Sequence, residues 1–444
     1  MMNDIPEIRK RASELRKTEN YTEAASLYGE LWLDHREVCN EWDGWGYATC
    51  LRKTGNSEMA LEICREVYKE HPKFEKGNDL YAWCIYDTEI KKSDEDIKKD
   101  EKSFYKAANA ILELTQQSQY SPYTKTVFQV IDYITKNNAS YPADNVLQWV
   151  NRLDPKSLSH VPFSFKDKEQ KEREILSDHE KYYTVKTKAL YIYGVYQECI
   201  DLCNAALKEI NKFHYNNDIW LKRRVALAKS KLGDKESALT ELECILIAKK
   251  EWFIQYELAQ ICYEMGDREK ALKYCVEAAL NYGKDENKWE LFLFMAQILK
   301  DMGEPDIAKQ HLAFAVIIRE EKGWKIPETL NRMISECDIQ DIGSLKRKEL
   351  YSQLKSFWDL KKYSDLPLMN GTVKTILPNG KAGFITGDDK NDYYFEVSEF
   401  KGNIRALNTG LKVKYSIANS FDKKKNIKTK KAILIKEIKE NRSA

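Results

Sequence analysis

The sequence predicts a multi-domain protein in which an array of paired α-helices is followed by a small all-β barrel of five strands. Three observations lead to this fold class. The chain has 444 residues, about three times the length of a typical domain. Small residues recur at fixed steps through most of the chain. After Leu368 the pattern changes from helical periodicity to strand alternation.

The composition is that of a folded chain in an aqueous compartment. Hydrophobic residues make up 43% and charged residues 32% of the sequence. The amino-terminal segment is polar, and no apolar run is long enough to span a bilayer, so we expect neither a signal peptide nor a membrane helix. The ten cysteines lie mostly within apolar helical patterns, without paired spacings or nearby histidines. This usage is typical of core residues in a reducing cytoplasm.

The helical array is predicted from a repeating set of small residues. The clearest unit covers residues 252–280 and contains Ala259, Gly266, Ala271 and Ala278, at steps of 7, 5 and 7. The same steps recur in three other sets: Ala48, Gly55, Ala60 and Val67; Ala226, Gly233, Ala238 and Ile245; Ala296, Gly303, Ala308 and Ala315. A small side chain at a helix crossing lets two helices approach, and glycine permits a left-handed turn between them.

This pattern resembles the tetratricopeptide repeat family. The resemblance is carried most closely by Trp289, Ala296, Leu299, Gly303, Ala308, Leu312 and Ala315. It implies an array of about eight repeats over residues 1–325, with insertions near 91–102 and 156–181 that we expect to be exposed loops or extended helices. Residues 326–368 are helical in pattern but lack the small-residue signature. We expect them to form capping helices and a linker.

The resemblance implies a superhelix whose inner face holds a peptide or a partner protein. The repeat register predicts a partner groove formed by Arg52, Lys53, Trp220, Arg223, Lys231, Tyr256 and Tyr263. Basic and aromatic residues together favour an acidic peptide or a nucleic-acid strand as the occupant. In the other interpretation, the aromatic residues pack between adjacent repeats and the charged residues are simply solvated.

The carboxyl-terminal part differs from the array in both charge and pattern. From Met369 to Ala444 there are 14 Lys and 2 Arg against 8 Asp or Glu, a net charge of +8, which leaves −6 for the rest of the chain. Five short strands are predicted within residues 369–438, separated by turn residues and followed by a tail, 439–444. Such a set fits a five-stranded oligonucleotide-binding (OB) barrel.

The residues of this barrel resemble the cold-shock domain. Residues 369–374 match its opening strand, and two aromatic motifs follow at residues 383–385 and 392–398. The resemblance implies a nucleic-acid site formed by Lys374, Phe384, Tyr394, Lys423, Lys424, Lys425, Lys428 and Lys430, with Tyr393 or Phe395 as further candidate stacking residues. Four positions depart from the family pattern: Thr375, Ile376, Ala382 and Glu396. Lost stacking partners imply weaker or differently placed binding. In the other interpretation, the barrel is a protein-docking module with a solvated basic loop.

The sequence contains no motif for catalysis, a metal or a cofactor. There is no phosphate-binding glycine loop and no His-Glu-x-x-His pair, and we assign Cys199 and Cys203 to helix packing. We therefore predict a cytoplasmic, non-enzymatic adaptor that binds a protein through the array and single-stranded nucleic acid, RNA in preference to DNA, through the barrel. One alternative is a protein-only scaffold or regulatory subunit, for example in a bacterial defence or conflict system. A third is an enzyme with an unrecognised site in the insertion at 156–181.

Overall fold

The computed structural model of the chain describes residues 5–337, 346–364, 366–422 and 427–438. Contacts divide the chain into two compact units, Met1–Ala238 and Leu239–Ala444. In its described residues, the first unit consists of helices and one β-hairpin, and the second contains helices followed by a closed barrel. The predicted fold class is confirmed.

The first unit is built from helices that pack against their neighbours along the chain. Its described α-helices are α1 (Ile5–Lys17), α2 (Tyr21–Asp34), α3 (Glu41–Lys53), α4 (Ser57–Glu70), α5 (Glu75–Ile85), α6 (Asp94–Lys99), α7 (Glu101–Leu114), α8 (Tyr123–Asn137), α9 (Ala143–Val150), α10 (Asp178–Tyr193), α11 (Tyr196–Glu209) and α12 (Asn217–Lys231). Helix α13 (Lys235–Ala248) crosses the boundary between the units. Extensive contacts join α1 with α2, α3 with α4, α8 with α9 and α10 with α11.

The small residues of the repeat occupy the predicted positions in these pairs. Ala48 and Ala60 are fully buried where α3 and α4 meet. Gly55 lies in the turn between these helices with a φ of 87°, a left-handed conformation that is strained for residues with a side chain. The small residues that predicted a close helix crossing and a tight turn therefore lie at the crossing and in the turn.

Side-chain contacts repeat the same period in space. The guanidinium of Arg9 donates to the Asp43 carboxylate at 2.8 Å, and Arg36 donates to Glu70 at 2.8 Å. Each pair spans 34 residues. Equivalent positions of successive helix pairs are therefore in direct contact, as expected for a stacked repeat.

The two insertions have regular structure. Residues 91–102 contain the short helix α6. Within 156–181, β1 (Phe163–Lys166) pairs antiparallel with β2 (Glu172–Ile175). The prediction of a loop or extended helix is wrong there. Asp167, at the start of the connecting turn, accepts hydrogen bonds from two backbone N–H groups of the turn at 2.9 and 3.0 Å, and these bonds stabilise the reversal.

The second unit continues with α14 (Trp252–Glu264), α15 (Arg268–Leu280), α16 (Trp289–Asp301), α17 (Pro305–Glu321), α18 (Glu328–Glu336) and α19 (Arg347–Lys362). Helices α14 and α15 form one pair, and α16 and α17 form another. Helix α19 packs on α15 and α17. Its fully buried Trp358 lies parallel to Phe292 of α16, with ring centroids 5.6 Å apart. None of the described helices combines the length and apolar character needed to cross a membrane.

The barrel is formed by β3 (Met369–Ile376), β4 (Ala382–Gly387), β5 (Asp392–Glu396), β6 (Lys412–Asp422) and β7 (Ile427–Glu437). The strands close in the order β3-β4-β5-β7-β6. Fully buried residues such as Ile385, Phe395 and Val413 fill its interior. Strand β7 begins at Ile427 and therefore includes Lys428, which was expected in the loop before the last strand.

Candidate nucleic-acid interface

Two aromatic side chains lie together on the outer face of the barrel. Phe384 of β4 and Tyr394 of β5 are directly opposite in the antiparallel register. Their ring centroids are 5.8 Å apart in an edge-to-face arrangement, and Tyr394 is 38% exposed. Tyr393 and Phe395 point inward and are buried. They are therefore core residues, and the expectation that one of them stacks on a base is wrong.

The aromatic pair belongs to a row of four residues that crosses strands β3, β4, β5 and β7. Thr375 of β3 is opposite Phe384, and Lys431 of β7 is opposite Tyr394. The row depends on a close strand approach at Gly383, where an added Cβ would lie 2.4 Å from the backbone oxygen of Thr375. Only glycine fits at that position without moving the backbone.

The departures from the family pattern have separate structural consequences. Ala382 is buried, so no ring is exposed at this position of the aromatic motif. Ile376 packs against the barrel core. Glu396 is exposed opposite Ala382 and adds negative charge at the edge of the aromatic pair. Compared with the family pattern, the outer face thus has fewer aromatic side chains, and the two that are present, Phe384 and Tyr394, lie near acidic groups.

Two basic side chains on this face are paired with carboxylates. Lys374 lies at a β-bulge and contacts Asp392, and this hydrogen bond lowers the pKa of the Asp392 carboxyl. The Lys431 ammonium is 3.8 Å from a Glu396 oxygen and 3.6 Å from a Glu399 oxygen. Both cations therefore offer less charge to a phosphate than the sequence suggests.

The remaining predicted lysines lie along the β6–β7 hairpin. Lys423, Lys424 and Lys425 fall outside the described residues. Lys428 pairs through its backbone with Phe421. Lys430 is exposed and is opposite Asn419. Of these lysines, the structure thus places Lys430 at the surface of β7.

The structure places an exposed basic residue, which sequence reasoning missed, on β6. Lys414 of β6 is exposed and is opposite Asn370 of β3. The signal was present, because the buried Val413 and Tyr415 flank it and strand alternation then turns Lys414 outward. The outer face of the barrel is therefore basic on the β6 side and acidic near Glu396.

In the first unit, two residues of the predicted partner groove, Arg52 and Lys53, already contact other side chains. Arg52 is bound to Asp87 at 2.6 Å and covers the ring of Trp83 at 4.7 Å. Lys53 lies 5.8 Å from the centroid of the Tyr21 ring. The other three predicted residues lie on α12: Trp220, whose indole N–H donates to a backbone oxygen at 3.2 Å, the half-buried Arg223 and the exposed Lys231.

The two groove tyrosines of the second unit make contacts between helices. Tyr256 and Tyr263 of α14 both meet Phe294 of α16 edge-on, at centroid distances of 5.6 and 5.3 Å. The Tyr263 hydroxyl donates to Asp301, and this bond raises the pKa of the tyrosine. These contacts favour the interpretation in which the aromatic residues pack between neighbouring repeats.

Cys199, Cys203 and His179 of the first unit take part in packing contacts. Cys199 and Cys203 are fully buried. His179 stacks on His160 at 3.8 Å, and desolvation lowers its pKa. Within the part of the chain that the structure describes, no group of three or more potential ligands is arranged to hold a metal.

Comparison with known families identifies the barrel. Residues 369–431 match the family model described as the "Cold-shock" DNA-binding domain. Residues 219–356 match a model described as a domain of unknown function, DUF7017. No curated protein matches the chain. The protein thus carries a carboxyl-terminal cold-shock domain, as the sequence resemblance predicted.

Several solved structures are similar to the helical part. A tetratricopeptide repeat protein from Parabacteroides merdae is 11% identical, with 76% of this chain and 100% of that chain covered and a TM-score of 0.32. A thermophilic TPR protein from Thermus thermophilus is 15% identical, with 59% and 99% covered and a TM-score of 0.24. The human IFIT1 dimer with m7Gppp-AAAA is 13% identical, with 79% and 76% covered and a TM-score of 0.37. These TM-scores are low, so the helix pairs of this chain are assigned from the contacts within the chain and not from these structures.

Proposed function

We propose that the protein is a non-enzymatic, cytoplasmic adaptor whose barrel binds single-stranded nucleic acid and whose helical repeats bind a protein partner. The observation that carries the proposal is the pair formed by the half-buried Phe384 and the exposed Tyr394 on the outer face of a cold-shock domain. Exposed aromatic rings on such a barrel are suited to stacking on unpaired bases, which duplexes do not present.

The charges around the pair support a strand that follows one side of the barrel. Exposed Lys414 lies on β6, whereas Asp392 and Glu396 lie on β5. A phosphate backbone is attracted to β6 and repelled from β5. We therefore infer that bases stack on Phe384 and Tyr394 while the backbone runs toward β6.

RNA is the preferred ligand in this proposal. Thr372 projects outward from β3 opposite Thr386, which is two residues along β4 from Phe384, and Asn370 lies further along β3 opposite Lys414. The side chains of Thr372 and Asn370 can both donate and accept hydrogen bonds, as the ribose 2′-hydroxyl does. A 2′-hydroxyl contact is what allows a protein to distinguish RNA from DNA at a given position.

The test is binding of the full-length chain to a labelled single strand of about 12 nucleotides at low salt, followed by fluorescence anisotropy. Replacing Phe384→Ala and Tyr394→Ala together should weaken binding by ~2–5 kcal/mol, since each stacked base contributes about 1–3 kcal/mol. The slope of affinity against salt should remain nearly unchanged, because no phosphate contact is removed.

A matched control is Tyr282→Ala, which removes an aromatic ring that is 94% exposed and lies outside the barrel. It should leave affinity unchanged. An equal loss of affinity in the Tyr282→Ala control and in the double variant would show that the strand stacks on exposed rings without preference for the barrel. Unchanged binding by the double variant would show that this face of the barrel does not bind the strand.

A second candidate function is a protein-only scaffold. It is favoured by the pairing of Lys374 with Asp392 and of Lys431 with Glu396 and Glu399, which reduces the positive charge near the aromatic rings. This function predicts no single-strand binding at any salt concentration. The same titration of the unmodified chain therefore separates the two functions.

A further inference from the structure

A buried histidine lies between two carboxylates in the first unit. The Nδ1 of His214, in the segment between α11 and α12, is 2.7 Å from a carboxylate oxygen of Glu180 in α10. The Nε2 is 3.4 Å from a carboxylate oxygen of Glu174, which belongs to β2 of the hairpin in the insertion at 156–181. Each ring nitrogen of His214 therefore faces a hydrogen-bond acceptor, one on a helix and one on the hairpin.

The Glu180 carboxylate fixes the orientation of the histidine ring. It is 1% exposed, and besides the bond from Nδ1 it accepts hydrogen bonds from the backbone N–H of His214 at 2.9 Å and from the side-chain amide of Asn217 at 2.8 Å. An ionised carboxylate has only acceptor atoms, so its short contact with Nδ1 requires a proton on that nitrogen. The neutral form of His214 then has no proton on Nε2.

The Nε2 of His214 lacks a donor for its neutral state. It is buried and forms no hydrogen bond with any described residue, and the side chain is 8% exposed. Its lone pair faces the Glu174 carboxylate, and a buried acceptor left without a donor is unfavourable. Protonation of the ring by solvent places an N–H at Nε2, and this group can donate to Glu174. The contact between the hairpin and the helices then becomes a charge-assisted hydrogen bond.

The hairpin depends on such contacts because it has little other support. Among the described elements, β1 and β2 make extensive contacts only with each other. A two-stranded hairpin on its own is at best marginally stable in water. Glu174 is also contacted by Lys212, which lies in the same segment as His214. This one carboxylate therefore joins β2 to the segment before α12 through two basic partners.

Of these two partners, the histidine is the one that responds to pH near neutrality. Histidine is the side chain whose charge ordinarily changes between pH 5 and 8, which lysine and tyrosine do not share. This distinguishes His214 from Lys212 and from Tyr215, whose ring centroid is 6.3 Å from that of His214. The contact of His214 with Glu174 is thus the one that a change of pH alters.

A second histidine contact of the insertion responds in the opposite direction. His160, which precedes β1, stacks on His179 of α10 at a centroid distance of 3.8 Å, and the Nε2 of His179 is 3.6 Å from a Glu209 oxygen. Two charged rings in a stack repel each other, so this contact weakens as the pH falls. The effect of His214 is therefore measured as a difference between chains that share His160 and His179.

We propose that His214 is a pH-sensitive contact that holds the hairpin, β1 with β2, on the helical repeats. The bond from Nε2 to Glu174 forms when the ring is protonated and is lost as the pH rises through the titration of the histidine. Phe163 and Phe165 of β1 are 63% and 42% exposed. The protonation state of His214 thus determines how firmly this exposed aromatic surface is held. Neither nucleic acid nor a protein partner takes part in the contact.

Hydrogen exchange of the backbone amides of residues 163–175, followed by mass spectrometry on the full-length chain, measures the attachment, because a detached hairpin loses its amide protection. The unmodified chain is compared with His214→Gln at about pH 5.5 and about pH 8. Glutamine does not titrate, and comparison at equal pH cancels the intrinsic pH dependence of exchange. Protection in the unmodified chain should exceed that in the variant by about fivefold at the lower pH and by much less at the higher pH. An equal ratio at both pH values would overturn the proposal.

Glu174→Gln tests the same bond from the hairpin side and leaves the buried bond between Glu180 and His214 in place, so it provides a test even if His214→Gln unfolds. The quantity compared is the ratio of protection at the lower pH to that at the higher pH, corrected for intrinsic exchange. This ratio should fall in Glu174→Gln, because the acceptor loses its charge. It should rise in Lys212→Gln, where His214 remains as the basic partner of Glu174. An unchanged ratio in the first variant, or a fall in the second, would contradict the proposal.

His71→Gln is the matched control. His71 also lies between two carboxylates, 4.0 Å from Glu41 and 4.0 Å from Glu70, but its side chain is 42% exposed and lies outside the insertion. Its replacement should leave the protection of the hairpin unchanged at both pH values. A loss at the lower pH equal to that in His214→Gln would show that titration elsewhere in the chain controls the hairpin, and would refute the role of the contact with Glu174.

Discussion

His311 in α17 is held in one protonation state by its hydrogen bonds. Its Nδ1 donates to the backbone oxygen of Ile307 at 2.8 Å, and its Nε2 accepts from the indole N–H of Trp358 at 2.8 Å. The residue is fully buried, and desolvation lowers its pKa from 6.5 to about 4. A proton on Nε2 would meet the Trp358 N–H, so folding requires the neutral ring.

This buried histidine predicts a pH dependence of stability. The unfolded chain binds a proton near pH 6.5, whereas the folded chain binds one only near pH 4. The contribution of His311 is therefore complete above pH 6.5 and is lost as the pH falls toward 4, by about 3 kcal/mol in all.

Denaturant unfolding at several pH values measures this contribution when the unmodified chain is compared with His311→Gln. Glutamine can keep one donor and one acceptor but does not titrate, so the difference between the two chains should shrink as the pH falls. A constant difference across the range would show that His311 does not titrate as described.

Some residue-scale features follow from the sequence and others depend on register. The outward direction of Phe384 and Tyr394 follows from strand alternation. The pairing of Lys374 with Asp392 does not, because it needs the β3–β4 bulge and the β4–β5 register together. The net charge of the carboxyl-terminal part therefore overstates the positive charge that its outer face offers.

At the scale of elements, the helix pairs were predictable because their contacts are local and periodic. The alanines of the repeat are buried at helix crossings, and Gly233, Gly266 and Gly303 have positive φ in the turns. These positions constrain backbone approach and turn geometry, so the same residue types recur at the same steps.

The crossing positions predict a clear stability effect. Ala271 and Ala308 are 0% and 1% exposed. Replacing either with leucine should lower the free energy of unfolding by roughly 1–3 kcal/mol, because added methyl groups have no room between the helices. Denaturant titration measures the change.

Glu62→Leu serves as the control, since it adds leucine at an exposed position of α4 and the two residues have similar helix propensity. Its effect should be close to zero. Neutral results at both Ala271 and Ala308 would show that the helices cross elsewhere.

The β-hairpin in the insertion at 156–181 was not predicted, and β6 and β7 are longer than the strands predicted at 412–417 and 430–435. Each strand of the insertion has only four residues, so the alternation of hydrophobic and polar residues is too short to stand out. Their pairing depends on turn geometry, such as the bonds of Asp167 to the backbone, which composition does not reveal.

At the scale of the whole molecule, one chain combines helical repeats with a cold-shock domain. The proposed function gives the barrel a role with nucleic acid, through stacking on Phe384 and Tyr394. The sequence predicted this pair from a family resemblance.

Photochemical crosslinking of the full-length chain to a single-stranded RNA, followed by mass spectrometry of the linked peptides, tests the central claim most directly. Bases stacked on aromatic rings are well placed to crosslink to them. We predict linked peptides that contain Phe384 or Tyr394, and their loss in the presence of excess unlabelled strand. Efficient crosslinking with no linked peptide from residues 369–438, or no crosslinking at low salt, would contradict the account.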